Sequence, residues 1–170
     1  MEEQQKILVY GYGNPGRQDD GLGNALITEL RQWAEKEGWS HIQFESNYQL
    51  NIEDAEMISH FDKVFFVDAS VEEDVHDFAL TSLTGMNEMT FTTHAASPGY
   101  VVHLCSKLFG DIPEAYLLHI RGYEWEFKES LSIKASENLN KAIGLMKEIL
   151  EAPSSVRNKI TQNSELKTHN

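Results

Sequence analysis

The stretch KILVYGYGNPGRQDDGLG at residues 6–23 decides the fold, because it joins an apolar segment to a glycine-rich loop and then to a helix. Residues 6–11 are short, apolar and ended by a glycine, which is typical of a central strand buried on both faces. The loop that follows carries three glycines and a proline within residues 11–16. After Gly21, apolar residues recur at helical spacing until Gly38, a suitable C-terminal stop. The stretch predicts a strand, a loop and a helix in succession.

The remainder of the chain alternates in the same way between strand-like and helix-like segments. Strands are predicted at 42–50, 63–68 and 115–120, weaker strands at 78–83 and 89–93, and helices at 51–58, 97–110 and 136–150. Strands that alternate with helices over a chain of modest length predict an α/β fold. We therefore expect a doubly wound, mostly parallel sheet flanked by helices on both faces.

The length of 170 residues fits one domain, and the sequence contains no internal repeat. After Pro153 the composition changes to serine, asparagine, lysine, threonine and glutamine, with few apolar residues. Such a composition cannot bury enough apolar surface to order the chain. We predict a single domain at residues 1–152 and a disordered polar tail at residues 153–170.

Charge and hydropathy indicate where the protein works and what it does not bind. The formal net charge of −13 repels polyanions, which argues against nucleic acid and anionic membranes as partners. No apolar run approaches the roughly 18 residues that a membrane span needs, and the N-terminus lacks the apolar core of a secretory signal. We predict a cytoplasmic protein.

The chain has one cysteine, Cys105. A single cysteine excludes an internal disulfide and a multi-cysteine zinc site, so a metal would need other ligands. Cys105 lies within an amphipathic pattern that predicts a helix, and free cysteine is usually buried. We predict that it is a packing residue and not a nucleophile.

Ionisable side chains follow three of the predicted apolar segments. Asp19 and Asp20 come after the first strand, Asp68 ends the third, and His94 precedes a helix. Ligands of open α/β sheets bind beyond the carboxyl ends of the strands, where neighbouring crossovers leave in opposite directions. Two carboxylates and one imidazole at this edge form a reasonable ligand set for nickel or zinc.

Each of these residues also has an ordinary structural interpretation. Asp19 and Asp20 could cap the first helix and complement its dipole. Asp68 could be a turn residue, and His94 a structural or surface histidine. The coincidence of all of them at one sheet edge favours the metal site.

The glycine loop also allows a dinucleotide-binding interpretation. Gly11, Gly13 and Gly16 have the spacing of the dinucleotide fingerprint. The carboxylates of Asp19 and Asp20 would then lie close to a bound pyrophosphate, and like-charge repulsion opposes that arrangement. Nucleotide binding is the weaker interpretation.

The residues that carry the chemistry also resemble a known family. Residues 9–23, VYGYGNPGRQDDGLG, are similar to the opening of the hydrogenase maturation protease family, in which a strand leads to Gly-x-Gly-Asn, a short variable stretch, two acids and Gly-x-Gly. The resemblance continues at 48–50, 66–69, 93–98 and 108–110 and covers about the first 150 residues.

This resemblance implies an α/β sandwich of the phosphorylase/hydrolase type and a hydrolase activity. Members are endopeptidases that remove a C-terminal extension from the large-subunit precursor of nickel-iron hydrogenase after nickel insertion. The family's metal-binding and catalytic positions correspond to Asp20, Asp68 and His94. Nickel is expected to arrive with the substrate, and zinc or cadmium can substitute.

The alternative from another class is a non-catalytic nickel-checking or hydrogenase-binding module that uses the same three residues. With no paired Ser/His/Asp pattern, metal-assisted attack of water on the scissile carbonyl is the natural mechanism. Asn14, Arg17 and Asp19 are further candidates for contacts around the site.

Overall fold

The computed structural model describes residues 3–83, 91–92, 95–110 and 112–161. Seven strands and four α-helices lie in these residues, and none of the helices is long and apolar enough to cross a membrane. In chain order they are β1 (Ile7–Tyr12), α1 (Leu22–Glu37), β2 (Ile42–Asn47), α2 (Asp54–Ile58), β3 (Lys63–Ser70), β4 (Phe78–Ser82), β5 (Phe91–Thr92), β6 (Ala95–Ala96), α3 (Pro98–Phe109), β7 (Glu114–Arg121) and α4 (Ile133–Glu151). Short 3-10 helices occupy Gln18–Gly21 and Pro153–Lys159.

Five strands form one sheet in the order β2-β1-β3-β7-β4. The first four run parallel, and β4 pairs with β7 in the antiparallel direction at one edge. The short strands β5 and β6 form a separate antiparallel pair. The prediction of a mostly parallel, doubly wound sheet is confirmed.

Each face of the sheet carries its own buried core. Alternate residues of a strand point to opposite faces, so Val9 and Phe65 belong to one core and Leu8 and Phe66 to the other. Helices α1 and α4 cover the first face, called here the α1 face. Helices α2 and α3 cover the second, called here the α3 face.

The strand order reverses between β1 and β3. The chain leaves β1 through α1 on the α1 face to reach β2, and then crosses through α2 on the α3 face to reach β3 on the other side of β1. The two crossovers diverge, so a crevice opens beyond the carboxyl ends of β1 and β3. Asp20 and Asp68 follow or end these two strands.

Glycines let the start of α1 lie directly against the strands at this crevice. A Cβ atom on Gly23 would lie 2.5 Å from the carbonyl oxygen of Val67, and one on Gly11 would lie 2.3 Å from the carbonyl oxygen of Gly23. Neither contact is possible for a side chain. The backbone of α1 therefore approaches β1 and β3 closely enough to fix the loop between them.

Two helices begin elsewhere than the sequence pattern indicates. Helix α2 starts at Asp54 and not at 51, because the buried Asp54 carboxylate accepts hydrogen bonds from the Asn51 N–H and the Tyr10 hydroxyl. Helix α4 starts at Ile133 and not at 136, because the Ser132 hydroxyl caps it by accepting from the Ala135 N–H. The predicted helix at 97–110 is confirmed as α3, with Ser97 as its cap.

Cys105 is fully buried on α3 in the core of the α3 face, as predicted. Burial raises the pKa of its thiol, which disfavours the nucleophilic thiolate. The packing role is therefore consistent with both its position and its chemistry.

The C-terminal boundary predicted at residue 152 is wrong for the first part of the tail. Val156 is buried in the core of the α1 face, within the 3-10 helix that starts at Pro153. The Thr161 N–H donates to the Leu80 carbonyl (2.8 Å), and the Leu80 N–H donates to the Thr161 hydroxyl (3.1 Å). The buried Val156, the partly buried Ile160 and two hydrogen bonds to the edge strand β4 order this segment, although its composition is mostly polar. Residues 162–170 lie outside the described residues.

We expect Val156→Ala to lower the free energy of unfolding by about 1 to 2 kcal/mol, because it removes buried methyl groups from the core. Ser154→Ala, an exposed change in the same 3-10 helix, should alter it by less than about 0.5 kcal/mol. Urea unfolding of both variants measures the difference. Equal stabilities would mean that this segment does not pack in solution.

Candidate active site

A cleft of about 330 Å³ lies at the carboxyl ends of β1 and β3. The loop after β1, the end of β3 and the loop after β7 supply its walls, which consist of Arg17, Asp20, Asp68, Ala69, Val71 and Trp125. Two residues predicted for the metal site therefore share one cleft at the point where the strand order reverses.

A larger cavity, of about 1000 Å³, opens at the amino ends of the strands, where β1 begins at Ile7 and β3 begins at Lys63. The buried Lys63 ammonium there already donates to the Gln5 side-chain carbonyl (3.0 Å) and lies 3.7 Å from a Glu114 carboxylate oxygen. In open α/β sheets, ligands bind beyond the carboxyl ends of the strands. The larger volume of this cavity therefore does not make it the active site.

The loop between β1 and α1 fixes Asp20 through its backbone. The Asn14 N–H donates to the Asp20 carboxylate (2.8 Å), while the Asn14 side-chain oxygen accepts from the Gly16 N–H (2.9 Å). Gly13 has a φ of 144°, and a Cβ atom there would lie 2.0 Å from the Asp20 carbonyl oxygen. The loop can close around Asp20 only with glycine at this position.

Asp68 lies beside Asp20 in less favourable surroundings for a charge. Burial and then the charge of Asp20 raise the pKa of Asp68 to about 7, against hydrogen bonds from the Ala69 N–H and the Tyr12 hydroxyl. Two carboxylates that interact this way resist being ionised together. Near neutral pH the Asp68 carboxyl group is therefore only partly ionised.

This pair fits a divalent cation. A cation between two repelling carboxylates would favour the ionised form of both, and carboxylate oxygen is a common ligand for borderline metals. Within residues 3–83, 91–92, 95–110 and 112–161, no group of three His, Cys, Asp or Glu side chains has the arrangement of a metal site. The third predicted ligand, His94, lies outside the described residues, so the three-residue site stays a prediction.

Asp19 does not share the role of its neighbour. It is fully buried, and its carboxylate accepts hydrogen bonds from the N–H groups of Tyr123, Glu124 and Ser132 and from the Ser132 hydroxyl, at 2.7 to 2.9 Å. Burial alone would raise the pKa of Asp19, but these four donors outweigh it and lower the pKa below its usual value. Helix α1 begins at Leu22 with no side-chain cap, so neither acid caps it.

The loop after β7 reaches the cleft because the loop after β1 binds it. The Gln18 N–H donates to the Lys128 carbonyl (2.9 Å), and the Gln18 side-chain oxygen accepts from the Glu126 N–H (3.1 Å). With the Asp19 bonds, these contacts place Trp125 in the cleft wall. Arg17, an exposed residue at the same wall, has its guanidinium 4.8 Å from the centre of the Phe127 ring.

The sequence interpretation missed two residues near Asp68. The Tyr12 hydroxyl hydrogen-bonds to the Asp68 carboxylate, and burial followed by the Asp68 charge raises the pKa of Tyr12 well above its usual value. His119 lies opposite Asp68 in the β3–β7 register, and burial lowers its pKa although Glu72 and Asp74 oppose the shift. The sequence carried a signal for each residue. Strand alternation continues from Tyr10 to Tyr12, and His119 is the one imidazole within the apolar run at 115–120.

We expect Asp19→Asn to lower the free energy of unfolding by about 2 to 4 kcal/mol, because an amide cannot accept four hydrogen bonds and would bury unpaired donors. Asp20→Asn, the matched change one residue later, should cost less than about 1 kcal/mol. Urea unfolding at pH 7 compares the two.

The same residue gives a pH dependence. The folded-state pKa of Asp19 is lowered, so its contribution is fully present above the unfolded carboxyl pKa of about 4 and is lost as the pH falls through the folded value. Stability of Asp19→Asn should therefore approach that of the wild type in acid. Similar losses for Asp19→Asn and Asp20→Asn would contradict the assignment.

Asp68→Asn should act in the opposite direction. The pKa of Asp68 is about 7 in the fold, so the cost of ionising it grows as the pH rises from about 4 to about 7 and is constant above. We expect the variant to be more stable than the wild type by up to about 4 kcal/mol at pH 8 in chelator, with no gain at pH 4. Thermal unfolding at both pH values tests this, and a loss at pH 8 would contradict the raised pKa of Asp68.

No protein-family model and no curated protein sequence gives a significant match to this chain. Solved structures do match its fold. The NiFe hydrogenase maturation protease HycI from Thermococcus kodakarensis KOD1 is 20% identical, with a TM-score of 0.68 over 86% of this chain and 93% of that one. The hydrogenase maturating endopeptidase HybD from Escherichia coli is 16% identical, with a TM-score of 0.66 over 86% and 93%.

A third structure, hydrogenase 2 maturation peptidase from a Thaumarchaeota archaeon, is 20% identical, with a TM-score of 0.61 over 86% of this chain and 98% of that one. The alignments span nearly the whole of each solved protein. The chain therefore has the fold of the solved hydrogenase maturation proteases.

Proposed function

We propose that this protein is an endopeptidase that removes a C-terminal extension from the nickel-loaded large subunit of a nickel-iron hydrogenase. The observation that carries the proposal is the Asp20–Asp68 pair in a cleft at the point of strand-order reversal, in a fold shared with hydrogenase maturation proteases. Nickel belongs to the substrate in this reaction, and zinc or cadmium are expected to substitute for it in binding experiments.

Asp20, Asp68 and His94 are the residues that would bind the substrate's nickel. Alternate residues of a strand share a face, and Asp68 lies two residues after Phe66 and four after Val64 on β3. It therefore belongs to the α3 face. Ala96, two residues after His94, packs in the core of this same face, and its N–H donates to the Leu50 carbonyl (3.3 Å). The described chain next to His94 thus lies on the face that carries Asp68.

The bound metal would supply Lewis acidity that polarises the scissile carbonyl toward attack by water. The chain's own residues have two further tasks. Val71 and Trp125 supply apolar surface to the cleft wall, against which the substrate chain can pack. The guanidinium of Arg17 stands at the cleft wall, where it can donate to a carbonyl or carboxylate of the substrate chain.

The partner under this proposal is the large-subunit precursor. The prediction of no binding to nucleic acid or anionic membranes is kept as part of the proposal, with the net charge of −13 as its support. The cytoplasmic location is also kept as part of the proposal.

We expect incubation with a nickel-loaded precursor subunit to shorten the precursor by a C-terminal fragment, detected by mass spectrometry. Asp20→Asn, Asp68→Asn and His94→Ala should each lower the cleavage rate by at least about 100-fold, because each removes a metal-binding group.

Cys105→Ala is the control, since Cys105 is buried on α3 and has a raised thiol pKa. It should lower the free energy of unfolding by about 1 kcal/mol and leave the cleavage rate within about twofold. Binding of the precursor without any change in its mass would favour the non-catalytic module. Loss of cleavage in a folded Cys105→Ala variant would favour a thiol mechanism.

A further inference from the structure

Tyr12 is the side chain next to Asp68 across the β1–β3 pair. The parallel register sets Gly11 opposite Val67, so the following residues of the two strands, Tyr12 and Asp68, are neighbours. Tyr12 lies two residues after Tyr10 and four after Leu8 on β1, so it points to the α3 face, as Asp68 does. The pairing of two strands therefore brings a phenol against a carboxylate of the cleft.

The strand register brings the two side chains within reach of a hydrogen bond. The Tyr12 hydroxyl can donate to the Asp68 carboxylate, and among the described residues the Ala69 N–H is a further donor to it. The Tyr12 ring packs against the core of the α3 face, and an aromatic side chain has only two rotatable bonds. The donor is thus held by a ring that has little freedom to follow Asp68 elsewhere.

Asp68 needs such a restraint because its other neighbour in the cleft repels it. The charge of Asp20 acts on Asp68, and an unrestrained aspartate can relieve repulsion by rotating away about its two side-chain bonds. A cation site requires both carboxylates to face the same point before the metal arrives.

We propose that Tyr12 is a positioning residue whose hydroxyl fixes the Asp68 carboxylate beside Asp20, so that the pair is arranged to bind a divalent cation. This inference rests on the proposed function for the identity of the metal-binding pair. Strand β1 therefore contributes to the site through Tyr12, and the loop that follows it contributes Asp20.

The chain contains a matched control for this bond. Tyr10 lies two residues earlier on the same strand and face, and its hydroxyl donates to the Asp54 carboxylate (3.0 Å). That bond joins β1 to the start of α2 and contacts neither cleft carboxylate. Tyr10→Phe and Tyr12→Phe remove the same atom from the same kind of pair.

The experiment is calorimetric titration of the full chain, without substrate, with nickel chloride at pH 7.5. Tyr12→Phe should weaken nickel binding by about 10-fold, as loss of a partner of a metal ligand does, while Tyr10→Phe stays within about twofold of the wild type. In an Asp68→Asn background, Tyr12→Phe should have no further effect, because the hydroxyl acts through Asp68. Thermal unfolding of each variant confirms that it is folded.

Three results would overturn the inference: no nickel binding by the wild type, equal nickel affinity of the wild type and Tyr12→Phe, or equal losses of nickel affinity in Tyr10→Phe and Tyr12→Phe.

Cleavage of the precursor is measured separately on the same proteins. A wild type that cleaves while Tyr12→Phe binds nickel normally would refute the inference and keep the proposed function. A wild type that does not cleave while Tyr12→Phe loses affinity would refute the function and keep the inference.

Discussion

The parallel pairing of β1 with β3 is the constraint on which the rest of the site depends. These strands are neighbours in space although α1, β2 and α2 separate them in sequence. Their pairing opens the crevice, brings Asp20 and Asp68 to one cleft, and sets Tyr12 against Asp68. The close contact of Gly23 with Val67 then fixes the start of α1 at the same place. A single register thus determines the positions of three polar side chains.

The adjacent acids Asp19 and Asp20 show how neighbours in sequence acquire opposite roles. Asp19 points into the protein, where four hydrogen-bond donors stabilise its charged form. Asp20 points to the cleft with one backbone donor and faces another carboxyl group. One acid therefore stabilises the fold as an anion, while the other leaves a local excess of negative charge. That excess is what a cation would offset.

The sequence was sufficient for the fold, and it placed two of the candidate site residues, Asp20 and Asp68, at the carboxyl ends of strands, where their side chains line one cleft. Apolar runs beside glycine and proline located the strands and helices, and the rule for ligand sites in open sheets indicated Asp68 and the adjacent acids Asp19 and Asp20. The pattern could not separate Asp19 from Asp20, because the donors to Asp19 come from residues 123–132, more than 100 positions away. Tyr12 was missed for a similar reason, since its partner is defined only by the strand register.

The segment after α4 has a consequence for how the molecule behaves among copies of itself. Strand β4 ends the sheet, and an edge strand with unpaired backbone groups is a template for joining other strands. Thr161 occupies the outer side of β4 at Leu80 with one backbone and one hydroxyl bond. The residues beyond α4 therefore occupy, at Leu80, backbone groups that an added strand would otherwise pair with. This contact is separate from the cleft at the carboxyl ends of β1 and β3.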